Sequence, residues 1–218
     1  ILGTKGVFTV FFSSAIEFCF QSKGDSEMIV NHAIKIATAM VELSRKIKGF
    51  NSSDAYLYGL LYNSGYIVLS QYSPEKYKPC YLASLMAPSK CAEKELKAFR
   101  TTSAHIGIYV AKKWRVKNSV YGGILFQQEE IQKCPKGENH AYELINLLNI
   151  ARMVVSETED ARYVTDEIRE SAKQSMLRLN IGNLHYIRAQ LKVKELGKNL
   201  SSIPEEFSEV CDIESVIQ

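Results

Sequence analysis

Proline interrupts this chain only at positions 74, 79, 88, 135 and 204, and between those points apolar residues recur at intervals of three and four over stretches far longer than a strand. Such spacing places the apolar side chains on one face of a helix and predicts an all-α protein. From Glu27 to Ile47, residues Val30, Ile34, Ala37, Met40, Val41 and Ser44 share a face, with Asp25 or Ser26 as cap and Gly49 as stop. A second helix starts from the cap cluster Asn51, Ser52, Ser53 and Asp54, runs through Leu57, Leu60 and Leu61, and stops at Gly65. The apolar pattern continues through Tyr66 to Tyr72; its run Tyr66-Ile67-Val68-Leu69 could be a strand, but its place against a helix favours more helix. Further helical periodicity covers 91–100, 103–114, 118–131 and 140–157, separated by the caps Thr101, Thr102 and Ser103, by 116–118, and by the polar loop 133–139. Two more helices, Tyr163 to Met176 and Ile181 to Leu196, are richer in charge, and 198–218 has an acidic bias.

The remaining composition excludes several classes. With 218 residues, 46% hydrophobic and 23% charged, the chain can bury a substantial core. A net charge of +3 is too small to imply polyphosphate binding. The basic stretch Lys112, Lys113, Arg115 and Lys117 around Trp114 reads as a solvated helix end before a phosphate patch, so a nucleic-acid interface is not expected. The five cysteines, Cys19, Cys80, Cys91, Cys134 and Cys211, are odd in number, widely spaced and without a CxxC pair, which fits reduced thiols. No apolar run approaches the roughly 20 residues that cross a bilayer, and Val7 to Phe12 lacks the flanks of a signal peptide. A cytoplasmic protein is expected. Because the chain opens on Ile1 instead of Met, it is expected to be a piece of a longer product. No nucleophile elbow, P-loop, dinucleotide fingerprint or His-Glu-x-x-His motif occurs.

Five segments stand in a meaningful order. Residues 58–69, from Tyr58-Gly59-Leu60-Leu61-Tyr62-Asn63 onward, resemble the HD-superfamily segment in which adjacent His and Asp at a helix end ligate metal. Asn31-His32-Ala33-Ile34 is similar to that family's first helix, which opens the site with His. Thr101 to Trp114 matches the pattern of the HDOD subgroup, a His, a Gly two residues on and a closing Trp, through His105, Gly107 and Trp114. Gly122-Gly123 to Glu129 falls where relatives carry a His pair, and Leu147 to Val154 resembles the closing helix whose Asp completes the site. The resemblance covers about 1–157 and is to HDOD domains, metal-free relatives of the HD phosphohydrolases. The helices that usually precede Ile1-Leu2-Gly3 in that family are not in this chain.

The resemblance implies an HD-like multi-helix bundle over 1–157, a small C-terminal helical extension over 158–197 and an acidic tail over 198–218. It also implies a degenerate site. Tyr62 and Asn63 stand for His and Asp, Gln127 and Gln128 for the His pair, and Arg152 for the closing Asp, while His32 and His105 are retained. A hydrolytic HD site holds a divalent ion with imidazoles and carboxylates. A neutral amide at 63 and a permanent cation at 152 remove the anions, so no cofactor, metal or catalytic residue is expected. Beside that reading stands the structural one: His32 and His105 as hydrogen-bonded core residues, Tyr62 as a packed aromatic tied to a neighbour, and Asn63, Gln127 and Gln128 satisfying one another or buried backbone groups. His140 and His185 need only surface or helix-face places. The implied role is a non-catalytic signalling output domain with a protein partner. Alternatives are a nucleotide or anion sensor using the old pocket and a residual metal-dependent phosphohydrolase; a homo-oligomer is left open.

Overall fold

The computed structural model describes residues 25–113, 115–128, 139–159, 161 and 163–200. Several expectations lie outside the described residues: those on 1–24, on Cys19, Cys134 and Cys211, on Trp114, on the loop from 129 to 138, and on the acidic segment from 201 onward. Among the described residues every regular element is helical. They are α1 (Asp25–Ser44), α2 (Ser52–Leu61), α3 (Ser64–Tyr72), α4 (Pro74–Met86), a 3-10 turn (Pro88–Lys90), α5 (Cys91–Phe99), α6 (Ser103–Lys113), α7 (Asn118–Phe126), α8 (Asn139–Thr158), α9 (Asp166–Leu179) and α10 (Asn183–Leu200).

Helix α1 is the axis of the bundle and packs against α2, α8 and α10. Its burial is wider than one face. Besides Val30, Ile34, Ala37, Met40 and Ser44, the residues Ile29, Ala33, Ile36, Ala39 and Leu43 are buried, because neighbours enclose the helix from several sides. It ends at Ser44, earlier than Ile47, and Ser44 Oγ donates to Val41 O at 2.8 Å. Gly49, at φ +78°, lies in the turn beyond. Asn51 caps α2 as its position suggested, accepting from Ser53 N at 3.0 Å.

The next boundary differs from expectation. Helix α2 stops at Leu61, and Gly65 lies inside α3 instead of terminating α2. The break falls on Tyr62 and Asn63, with Asn63 at φ −103°, ψ 7°. Glycine is required at 65 for another reason: a Cβ there would stand 2.0 Å from the carbonyl oxygen of Ser103 on α6. The run 66–69 is helical, with Tyr66, Ile67 and Leu69 buried.

Helix α4 carries Pro74 at its first turn, where the absent N–H costs nothing, and Pro79 in its interior. Reading the prolines as punctuation hid this helix. An interior proline disfavours a helix by about 3 kcal/mol, and buried Tyr77, Cys80, Tyr81 and Leu85 offset that cost. Toward the end of the chain, Thr165 caps α9 by accepting from Ile168 N at 3.3 Å and also donates to Met86 O at 2.6 Å. Ile181, Ala189 and Val193 join the main core, while Met153, Ile168 and Ala172 form a smaller cluster between α8 and α9. No described helix is long and apolar enough to cross a membrane.

Candidate functional site

Three segments distant in sequence meet beside the middle of α1. Helix α1 supplies His32 and Lys35, the break between α2 and α3 supplies Tyr62 and Asn63, α8 supplies Arg152, and the residue just past α8 supplies Glu159. Arg152 Cζ lies 5.7 Å from the centre of the Tyr62 ring, a cation-π arrangement, and Arg152 Nη1 donates to Asn149 Oδ1 at 3.4 Å. Burial pushes the Tyr62 hydroxyl well above the usual phenol range; Arg152 pulls it down, Glu159 pushes it up, and the nearby Asn63 amide lowers it. Arg152, His32, Tyr62 and Asn63 are all buried.

The sequence reading found no negative charge here, and the structure corrects that. Glu159 Oε2 lies 3.7 Å from His32 Nδ1, and Glu159 Oε1 accepts from Lys35 Nζ at 2.6 Å. Burial alone would raise the Glu159 carboxyl, but His32 and Lys35 outweigh it and hold the group at about 2. Its ordinary value is 4.5, so the folded state binds the proton more weakly than the unfolded state. The resulting stabilisation is fully present above the ordinary carboxylate range and disappears as pH falls toward 2. Urea melts of the wild type and Glu159→Gln are therefore expected to differ most above pH 5 and to converge near pH 2. A pH-independent gap would contradict the pairing.

Several polar atoms around this site meet no strict hydrogen-bond geometry among the described residues: His32 Nε2, Tyr62 Oη, Asn63 Nδ2 and Tyr81 Oη. Gln127 anchors the break from the side, its Nε2 donating to Tyr62 O at 2.9 Å. Its Oε1 is unpartnered.

Gln128 belongs to a second polar centre, organised by Glu95 on α5. That carboxylate is fully buried and accepts from Ser103 N and Ser103 Oγ, each at 2.8 Å, from Gln128 Nε2 at 3.2 Å, from Cys91 Sγ at 3.1 Å and from Tyr66 Oη. Because Ser103 opens α6, the Glu95 charge faces the positive end of that helix. Burial, with Glu95 beside it, pushes the Cys91 thiol far above its usual range. His105 stands apart from both centres. It is exposed, its Nδ1 is 2.7 Å from Thr102 Oγ1, and its backbone N donates to the same oxygen at 3.2 Å, so the pair closes the start of α6.

The sequence profile of the HDOD domain family matches residues 1–130. The chain belongs to the HDOD family. No curated protein matches the sequence significantly. Among solved structures, this HDOD chain is similar to a candidate phosphohydrolase from Shewanella amazonensis SB2B, with 19% identity, a TM-score of 0.58, and 82% of this chain aligned to 65% of that one. It is also similar to a candidate signal transduction protein from Marinobacter aquaeolei VT8, with 19% identity, a TM-score of 0.53, and 79% of this chain on 39% of that one. An HDOD domain protein of unknown function from Geobacter sulfurreducens aligns at 16% identity and a TM-score of 0.53, with 86% of this chain on 62% of that one. The chain thus spans less than two thirds of each of these neighbours' length. At such identities the likeness is one of fold.

Within the HDOD fold the positions singled out by sequence separate into three places. His32, Tyr62, Asn63 and Arg152 come together beside the middle of α1, Gln127 touches that group through backbone, and Gln128 and His105 lie elsewhere. Glu159 was missed although a signal existed, since it follows Arg152 by seven residues, two helical turns on. Among the described residues no group of three or more His, Cys, Asp or Glu is placed to share a metal ion. His140 has partners that its sequence context did not suggest: its Nε2 is 3.2 Å from Oδ2 of buried Asp54, and Lys117 Nζ donates to both Asp54 oxygens at 3.0 Å. That engagement occupies one cation of the basic stretch, and Lys112 Nζ sits 5.5 Å from the Tyr121 ring. An open crevice of about 500 Å³ lies away from the HD position, between α8, α9 and α10, with Met153, Ala172 and Met176 in its lining and Arg169 and Lys173 among its charges.

Proposed function

We propose that this HDOD chain is a non-catalytic output domain of a signalling pathway that acts by contact with a protein partner. The observation that carries this reading is Arg152, buried and laid over the ring of Tyr62, at the position that the sequence resemblance pairs with the metal-binding Asp of HD relatives. A permanent cation there opposes a divalent ion, and Glu159, the carboxylate that does approach His32, is already paired with Lys35. Membership of the HDOD family and the fold shared with a candidate signal transduction protein support the signalling role.

The test is direct. Protein titrated with Mn²⁺, Fe²⁺ or Mg²⁺ and offered phosphomonoesters and phosphodiesters is expected to give no turnover above the blank. Metal-dependent turnover that is lost in His32→Ala would overturn the reading in favour of a residual phosphohydrolase. One observation favours a second role, an anion or nucleotide sensor. Arg152 has no carboxylate partner among the described residues and lies near the Asn63 amide and Tyr62 hydroxyl. Under that reading a cyclic dinucleotide or guanosine tetraphosphate raises the melting temperature, and Arg152→Ala abolishes the shift.

A further inference from the structure

Between Glu95 and Glu129 the sequence has no acidic residue, while Lys97, Arg100, Lys112, Lys113, Arg115 and Lys117 all fall in that stretch. Its centre is α6. At 100° per residue His105, Tyr109, Lys112 and Lys113 share one arc of that helix, opposite the buried Ala104, Gly107 and Ala111, and all four are exposed. Helices α3 and α7 pack against α6, and neither contains a charged residue, so nothing on them opposes this field. Some of the charge is engaged: Lys117 pairs with buried Asp54, Lys112 sits over the Tyr121 ring, and on α5 Lys97 pairs with Glu93. Arg100, Lys113 and Arg115 have no ion pair among the described residues.

The two arginines bracket α6, and both stand in left-handed backbone, Arg100 at φ 57° and Arg115 at φ 54°. Glycine takes that conformation without a Cβ penalty, so arginine at both places points to a use for its side chain. Apolar surface lies in the same region. Tyr109 is 78% exposed, and Leu96, whose carbonyl accepts from Arg100 N at 3.0 Å, is 51% exposed. We propose, resting on the protein-contact reading above, that the exposed face of α6, bracketed by Arg100 and Arg115, docks an acidic segment of a partner protein with apolar side chains among its carboxylates. The carboxylates meet the free cations, the apolar side chains cover Leu96 and Tyr109, and Tyr and Arg are the residues that most often anchor such contacts. A nucleic acid matches the charge and would stack on Tyr109, but it offers no aliphatic cover for Leu96, and a whole-chain charge of +3 gives a polyphosphate little long-range attraction.

Fluorescence anisotropy tests this with the full chain and a labelled synthetic peptide that alternates glutamate with leucine and phenylalanine. Binding is expected to be at least about tenfold tighter than for the same peptide with glutamine in place of glutamate, and to weaken as salt rises. Arg100→Gly/Arg115→Gly is expected to melt no lower than the wild type, since glycine relieves the left-handed backbone, and yet to lose at least about tenfold in affinity. Tyr109→Ala/Lys113→Ala, at two exposed positions of α6, loses affinity too with its melting temperature unchanged. Lys46→Glu/Lys48→Glu, on the exposed turn after α1, removes more positive charge but leaves the affinity within about twofold. Equal binding of the two peptides, or wild-type affinity in both α6 variants, overturns the proposal. Tighter binding of a uridine oligonucleotide or of phosphatidylserine vesicles overturns it too, by making a nucleic acid or a membrane the occupant. Metal-dependent turnover bears on the non-catalytic reading alone and peptide binding on this surface alone, so the two failures are told apart.

Discussion

Replacing Glu95 with Ala lowers the urea midpoint by roughly 1.5–2.5 M, the largest polar effect expected in this protein. The carboxylate is fully buried, and truncating it strands the N–H and hydroxyl of Ser103 and the hydroxyl of Tyr66 away from water and removes an acceptor from the half-buried Gln128 amide. Leaving buried donors of a charged acceptor unsatisfied costs about 3–5 kcal/mol in sum, against a total stability of about 5–15 kcal/mol. With a denaturant slope near 2 kcal/mol/M, that converts to the stated shift. Glu95→Gln keeps the shape but turns one acceptor into a donor that faces Ser103, so a smaller loss is expected. The helix that suffers first is α6, whose opening N–H groups lose their anion. An Ala variant within 1 kcal/mol of the wild type would show that the donors find other partners and that Glu95 does not organise the contact of α3, α5, α6 and α7.

Gly65→Ala is expected to be as damaging from the opposite cause. The added methyl would stand 2.0 Å from Ser103 O and 2.7 Å from Ser103 C, both backbone atoms that no rotamer change can move. Helices α3 and α6 must separate, and overpacking of this kind reaches about 3 kcal/mol or more. Gly182→Ala serves as the control. Nothing lies within 4 Å of a Cβ at that position, so the variant is expected to be neutral or slightly stabilised through the loss of unfolded-chain freedom, by up to about 1 kcal/mol. Thermal or urea melts of the two variants measure the contrast; equal stabilities would mean that α3 and α6 are free to move apart. Because Glu95 and Gly65 both meet Ser103, the double variant should lose less than the sum of the two single ones.

Glu95 stands in a segment that sequence assigns correctly as helix, whereas Gly65 reads as a helix stop, and neither is expected to meet another helix. Glu95 lies among Glu93, Lys94 and Lys97 on a charged stretch, and nothing in that spacing marks one carboxylate as buried. Its environment is made by Tyr66 and Ser103 from two other helices and by Gln128 from the turn after α7. Gly65 was visible as a glycine but read as a terminator, since a close backbone approach from another helix leaves no mark on the neighbouring residues. The same limit applies to the degenerate site. The order of segments pointed to His32, Tyr62, Asn63 and Arg152 as neighbours, and they are. It also grouped Gln128 and His105 with them, and chain direction after α7 and at the start of α6 carries those two elsewhere.

What the sequence determined by itself was the class of structure and the charge character of the residues it singled out. Periodicity of three and four fixes helices because local hydrogen bonding and one buried face are both short-range demands, and Tyr62, Asn63 and Arg152 carry their neutral or cationic character wherever they fall. What only the tertiary structure decided was which charges are paired. Glu159 found His32 and Lys35, Glu95 found the start of α6, and Asp54 found Lys117 and His140. Pairing depends on distances of a few ångströms between residues tens of positions apart, and those distances exist only once the helices have packed.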